Sequence, residues 1–217
     1  MTKKQCIRCA ERNVGNMKTH RINTINNFEY LLIIPNNMNQ DNPEELVPMV
    51  DEDGNIIRPI TRGEAHSGSR LLHPVVHLHL FNSKGELYLQ KRPMWKDIQP
   101  GKWDTAVGGH VDFGEGVFQA LQREVREEIG LSVIALAKTR DEAHDGKAYP
   151  LLHYVFDSVR ERELVFVHVM TADVLPSPTD ELDGGRFWSP QELAENMGKG
   201  IFTPNFESEY KRCFSAD

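Results

Sequence analysis

The chain is short of cysteine, of positive charge and of long apolar runs, and each shortage removes a class of protein. Cysteine stands only at positions 6, 9 and 213 of 217 residues, too few for a disulfide framework. Cys6 and Cys9 have C-x-x-C spacing, which is half of a zinc site. No second close pair completes it and His20 is a makeshift fourth party, so ordinary reduced thiols are expected. Lysine and arginine number 25 against 32 acidic residues, for a net charge of −7. Such a balance gives no broad attraction to nucleic acid or anionic lipid, so a phosphate ligand must be captured locally, by metal and a few basic side chains. No uninterrupted apolar stretch approaches the ~18 residues of a membrane span. The start, Met1 to Cys6, lacks the apolar core of a signal peptide. The expectation is a cytoplasmic protein with neither a nucleic-acid nor a membrane partner, and without internal repeats.

What is present suits one α/β domain with a decorated end. Residues 1–45 form an extension and linker: a basic start, one apolar run from Phe28 to Ile34, then an Asn- and Pro-rich stretch to Pro43. From 46 to 217 the text is regular. Val47 to Val50 and Ile56-Ile57 flank a turn signal at Asp51–Asn55, predicting a hairpin. Strands are expected over 75–81, 87–91, 103–107, 131–139, 151–158 and 164–171. Helices are expected from Ser189-Pro190 to about Met197, where a capping box has Pro at its first position, and from Thr203-Pro204 to about Phe214.

The most informative segment runs from Gly109 to Leu131. Stepping about 100° per residue places Val117, Phe118, Leu121, Val125 and Ile129 on one apolar stripe of a helix capped by Gly130. Glu128 falls inside that stripe, with Glu124 on its border. Most charge runs on helices are solvated faces. A carboxylate turned toward a core is costly, however, unless it is paired or coordinates a metal. Glu124, Glu127 and Glu128 also repel one another at helical spacing, so a cation is expected among them.

The spacing of Gly109, Glu115, Arg123-Glu124, Glu127-Glu128 and Gly130-Leu131 resembles the Nudix box, residues 109–131, without a mismatch. The resemblance implies an α/β/α sandwich with a mixed β-sheet, in which loop, helix and loop hold divalent metal, Mg2+ or Mn2+, against a small-molecule diphosphate. It further implies Glu124, Glu127 and Glu128 as metal-binding and catalytic residues, with the backbone at Gly109 approaching the metal. Arg123 becomes their orienting partner, with Glu115 and Gly109 as support. Magnesium's preference for a few carboxylates, waters and phosphate oxygens agrees with such a set.

Stretches 50–66, 89–92 and 100–110 look like the Nudix branch that includes isopentenyl-diphosphate isomerase. That enzyme uses a cysteine on the strand corresponding to 104–108, where this chain has none, and its box is degenerate where this one is complete. The resemblance therefore implies a hydrolase (pyrophosphatase) that cleaves a nucleoside diphosphate linked to another group, by water attack on phosphorus. The alternatives are an isomerase-like enzyme and a Nudix fold kept as a ligand-sensing module. Homodimers are common in the family, and no residue here requires one.

Several residues carry a second reading. Glu181 resembles a loop glutamate that some Nudix enzymes use as base or extra ligand, and is equally a solvated loop acid. Lys91 and Arg92 end a strand where they could meet phosphate. His144 and Asp145 read as a surface loop near the site. His77 and His79 share the strand face opposite Val76, Leu78 and Leu80 and read as satisfied sheet histidines. Trp103 reads as core.

Overall fold

A computed structural model describes residues 42–96, 98–179 and 181–214. Cys6, Cys9, His20, the Phe28–Ile34 run, most of the linker, and Asp180 lie outside the described residues.

The expected hairpin forms as β1 (Leu46–Val50) and β2 (Ile56–Thr61), paired antiparallel from Leu46↔Thr61 to Val50↔Ile56. Its turn is closed by one side chain, since Asp51 Oδ1 accepts from the N–H groups of Asp53 and Asn55 at 3.0 and 2.8 Å. Gly54 supplies the positive φ of 82° that the turn needs. Thr61 then caps α1 (Arg62–Glu64) through a reciprocal capping box with Glu64, and the chain continues through a π-helical turn, Ala65–Ser69.

The main sheet contains β3 (His73–Phe81), β4 (Leu87–Lys91), β5 (Trp103–Asp104), β6 (Val107–His110), β7 (Ala135–Leu136), β8 (Lys147–Asp157), β9 (Arg162–Thr171) and β10 (Gly185–Trp188). Its order is β10-β4-β3-β9-β8-β7, with β5 on β4 and β6 on β3. β3 runs parallel to β9 and β7 to β8, while the remaining pairs are antiparallel, so the sheet is mixed as expected.

Alternation along β3 decides what each sheet face receives. Val76, Leu78 and Leu80 pack with Leu121, Val125 and Ile129 of α2 (Val117–Ile129). On the other face, Leu87, Leu89 and Trp188 pack against Leu193 of α3 (Pro190–Asn196) and Phe206 of α4 (Pro204–Phe214). The layers are therefore α2, sheet, and α3 with α4, the α/β/α sandwich. Among the described residues no helix is long and apolar enough to cross a membrane.

Two local expectations need correction. The strand expected over 103–107 is two, because the Asp104 carboxylate takes the Thr105 N–H at 2.9 Å and the Thr105 hydroxyl bonds the Leu78 carbonyl at 3.0 Å, removing both from a ladder. The strand expected over 131–139 shrinks to Ala135–Leu136: it leaves α2 through left-handed Gly130, and Ile134 is exposed. β10 and the helical turn after Thr61 were not expected.

Candidate active site

The packing of α2 sets where its acids point. Leu121, Val125 and Ile129 are fully buried, and burying each such side chain contributes about 1.5–3 kcal/mol, which fixes the rotation of the helix. Glu124 and Glu128 consequently turn inward, 9% and 8% exposed, while the side chain of Glu127 stays half in solvent.

Two glycines of β6 receive these acids. Gly108 N–H donates to Glu128 Oε2 at 3.1 Å, and Gln90 Nε2 donates to the same oxygen at 3.1 Å. At Gly109 a Cβ would lie 2.0 Å from the carboxyl carbon of Glu124, so only a bare backbone lets that carboxylate approach the strand. Gly109→Ala is accordingly expected to displace Glu124 and lower turnover by about 100-fold, the cost of moving a reacting group by an ångström, with the fold intact by circular dichroism. Wild-type kinetics in that variant would contradict this role.

Arg123 ties the cluster together. Its guanidinium donates to Glu115 at 3.1 and 2.9 Å, to Glu124 at 2.6 Å, to Glu127 at 3.2 Å and to the His110 carbonyl at 2.9 Å. One cation does not neutralise this set. Burial pushes the Glu124 carboxyl up to about 7, although Arg123 opposes it. Burial, then the charge of Glu124, pushes Glu128 well above the usual carboxylate range. Glu181 adds to both, so its loop carries a further negative charge to the same site. Inward-facing carboxylate oxygens short of positive charge are the donor set that a hard divalent cation fits.

The other residues singled out in the sequence divide clearly. Lys91 pairs with Asp183 at 3.1 Å, and Arg92 with Asp104 at 3.3 Å and the Ile98 carbonyl at 3.0 Å, so both cations at the end of β4 already have partners. His144 and Asp145 bond each other in an exposed turn that bridges to Thr171 at the end of β9. Trp103 packs edge-on to Trp188 with centroids 5.2 Å apart. His77 and His79 share one partner, Glu209, which takes one ring nitrogen of each.

A second cluster was missed by the sequence reading. His66 on the π-helical turn, His73 at the start of β3 and His110 at the end of β6 place ligand nitrogens within 4.8 Å of one another. His73 Nδ1 lies 2.8 Å from the Leu71 carbonyl, and its Nε2 is buried without a partner. His66 Nδ1 lies 3.1 Å from Glu161, and its Nε2 only 2.9 Å from His110 Nε2. Assigning the Nδ1–H tautomer to His66 gives its Nε2 a lone pair, so a proton or a cation must lie between the two imidazoles. Burial keeps His73 and His110 on the uncharged side, the form that binds metal. Glu161 behind His66 is the usual carboxylate–histidine support. Three imidazoles suit Zn2+, Fe2+ or Ni2+ better than Mg2+. Elemental analysis of purified protein is expected to find one such ion per chain, lost in His73→Ala; equal metal content in both proteins would contradict it. The capping box at Thr61-x-x-Glu64 could have revealed the helical turn that carries His66.

A mixed sheet flanked by helices, with an acidic helix against two strand glycines, defines an α/β sandwich with buried acids at one strand. Residues 71–206 match the family model described as the NUDIX domain. An isopentenyl-diphosphate Delta-isomerase of Streptomyces coelicolor is 32% identical over 163 residues, covering 74% of this chain and 79% of that protein. An uncharacterized Nudix hydrolase of Listeria innocua is 32% identical over 153 residues, covering 69% of this chain and 85% of that one. Among solved structures, a Deinococcus radiodurans protein superposes with a TM-score of 0.64 at 24% identity, over 79% of this chain and all of its own. A MutT Nudix hydrolase of Burkholderia pseudomallei superposes at 0.51 and 18%, over 66% and 98%. The chain belongs to the Nudix family.

Proposed function

We propose that the protein is a Mg2+- or Mn2+-dependent hydrolase that cleaves a diphosphate linkage, in a nucleoside diphosphate joined to another group. The observation that carries this reading is the pair of buried acids, Glu124 and Glu128, brought against the bare backbone of Gly108-Gly109 with too little positive charge around them.

Glu124, Glu127 and Glu128, with the backbone of Gly109, are the residues that would hold the cation. Bound there, a divalent ion polarises phosphoryl oxygens and lowers the pKa of water. The chain's own residues then divide the work. Arg123 fixes the rotamers of Glu124 and Glu127 and clamps α2 to β6 through the His110 carbonyl. Glu124 and Glu181 are the candidate proton acceptors, a role that requires an approach of about 2.6–3.2 Å to the proton removed. Lys91 and Arg92 would meet substrate phosphate by giving up Asp183 and Asp104.

A product-resolved screen over ADP-ribose, dinucleotides, coenzyme A, nucleoside triphosphates and non-nucleotide diphosphates, with Mg2+ and Mn2+, tests the reading. Turnover that disappears in Glu127→Gln supports it. Tight nucleotide binding without turnover would instead make the chain a sensor. The relatives named isopentenyl-diphosphate Delta-isomerase favour a second reading, a double-bond shift in isopentenyl diphosphate. Against it stands β6 and the turn before it, Asp104-Thr105-Ala106-Val107-Gly108, which offers no thiol, while Cys213 is partly buried on α4 with its thiol pushed up to about 12 by burial. An isomerised product released with its diphosphate intact would establish that second reading.

A further inference from the structure

The face of the sheet opposite α2 carries a charged network that the hydrolytic reading leaves unused. Glu209 of α4 is fully buried. Its Oε2 accepts from His77 Nδ1 and from the Tyr154 hydroxyl, both at 2.8 Å, and its Oε1 from His79 Nε2 at 2.7 Å. Two histidines thus share one carboxylate, and their far nitrogens meet different surroundings. His79 Nδ1 is buried without a partner in a ring cluster, with Phe214 at 5.0 Å and Phe206 at 6.3 Å. His77 instead opens at β6, where it pairs in register with Gly108. A Cβ added at Gly108 would sit 3.5 Å from both Cδ2 and Nε2 of His77, and Gly108 is exposed. The missing side chain therefore leaves a notch in the strand, and Nε2 stands at its floor with no hydrogen-bond partner among the described residues.

His77 is also held cationic. Burial opposes its charge, but the charge and hydrogen bond of Glu209, with lesser help from Glu163 and Asp104, push it up to about 9. An anchoring role for α4 would be met by His79 and Tyr154 alone. It would not require a second imidazole whose outer N–H faces a gap, and an unsatisfied charged donor is costly.

The same glycine meets the acidic site, since its N–H holds Glu128. We propose that His77 is a substrate-binding residue whose Nε2–H, presented at the open notch of Gly108, donates to a non-bridging oxygen of the diphosphate. This rests on the diphosphate reading above. It assigns the side of β6 away from α2 to the substrate's anionic oxygens and the α2 side to the cation. Glu209 is the positioning residue that orients the imidazole and keeps both its nitrogens protonated.

The test uses the unaltered protein labelled with 15N-histidine, titrated with methylenediphosphonate and Mg2+. Calorimetry reports whether the probe binds, and the His77 Nε2–H resonance, assigned with His77→Gln, reports where. Binding should shift that resonance and slow its exchange with water, while the His79 resonances stay in place. In His77→Gln the affinity for methylenediphosphonate should fall about 10- to 100-fold, the factor for one lost charge-assisted hydrogen bond, and Glu209→Gln should fall in the same direction. Probe bound to the wild type with the His77 resonance unmoved, or with unchanged affinity in a folded His77→Gln, overturns the assignment. No binding to the wild type at all overturns the diphosphate reading and this inference together, so the two failures are distinguishable.

Discussion

Glu128→Gln is expected to lower kcat by at least about 100-fold, the scale for removing one charged group that stabilises a transition state, and to stabilise the metal-free protein. Gln keeps an oxygen for the Gly108 and Gln90 donors but removes a buried acid whose charge is opposed by burial and by Glu124. The pH dependence separates the two effects. Glu124 and Glu128 bind protons more tightly in the folded chain than in the unfolded one. Their contribution to stability is therefore complete below the ordinary carboxylate value of 4.5; for Glu124 it is lost as pH rises through about 7, and Glu128, held well above the usual carboxylate range, adds to the loss as it ionises. For Glu124 that loss is on the order of 3 kcal/mol. In chelator, the wild type should melt markedly lower at pH 8 than at pH 5, Glu128→Gln should lose much less, and millimolar Mg2+ or Mn2+ should restore the wild type. Parallel melting profiles for the two proteins, or near-normal turnover in the variant, would contradict this account of the acids.

The largest effect on stability is expected at Glu209→Ala, far from α2. Removing that carboxylate strands an imidazolium at His77 and leaves the His79 Nε2 donor unpaired in the interior, while the Tyr154 hydroxyl keeps only Asn205 at 3.2 Å. Breaking a buried pair from one side costs about 3–5 kcal/mol, and at this chain length each kcal/mol is worth roughly 2–4 °C. Urea unfolding followed by tryptophan fluorescence reads the change directly, because Trp103 and Trp188 lie in the cluster shared with α4. A loss below about 1 kcal/mol would show that α4 is held by Phe206 and its apolar neighbours alone.

How far the sequence reveals this molecule depends on the range of the interactions involved. The α2 segment is legible because its pattern is local: apolar spacing fixes the rotation, rotation sends Glu124 and Glu128 inward, and the structure bears out each step. The hairpin at Asp51–Asn55, the capping box at Ser189 and the Pro-started α4 are legible for the same reason. The broken strand at Thr105 is not, since the Leu78 carbonyl that takes its hydroxyl comes from another strand. The histidine cluster is spread over His66, His73 and His110, and no periodicity connects a helical turn with two strand ends. Reading His77 as a satisfied sheet histidine was correct for one nitrogen, but its partner lies 132 residues away on α4. The notch beside its other nitrogen appears only when β3 and β6 are set in register.

On the proposed function, Glu124, Glu127 and Glu128 jointly gather a divalent cation that a diphosphate completes. Electron paramagnetic resonance of Mn2+ uptake, with and without methylenediphosphonate, tests it most directly when done in His73→Ala, so that the imidazole cluster does not contribute. Uptake is expected that the diphosphonate tightens and that disappears when Glu127 and Glu128 are both changed to Gln. Uptake that is absent with and without the diphosphonate, or that survives loss of both acids unchanged, would contradict it.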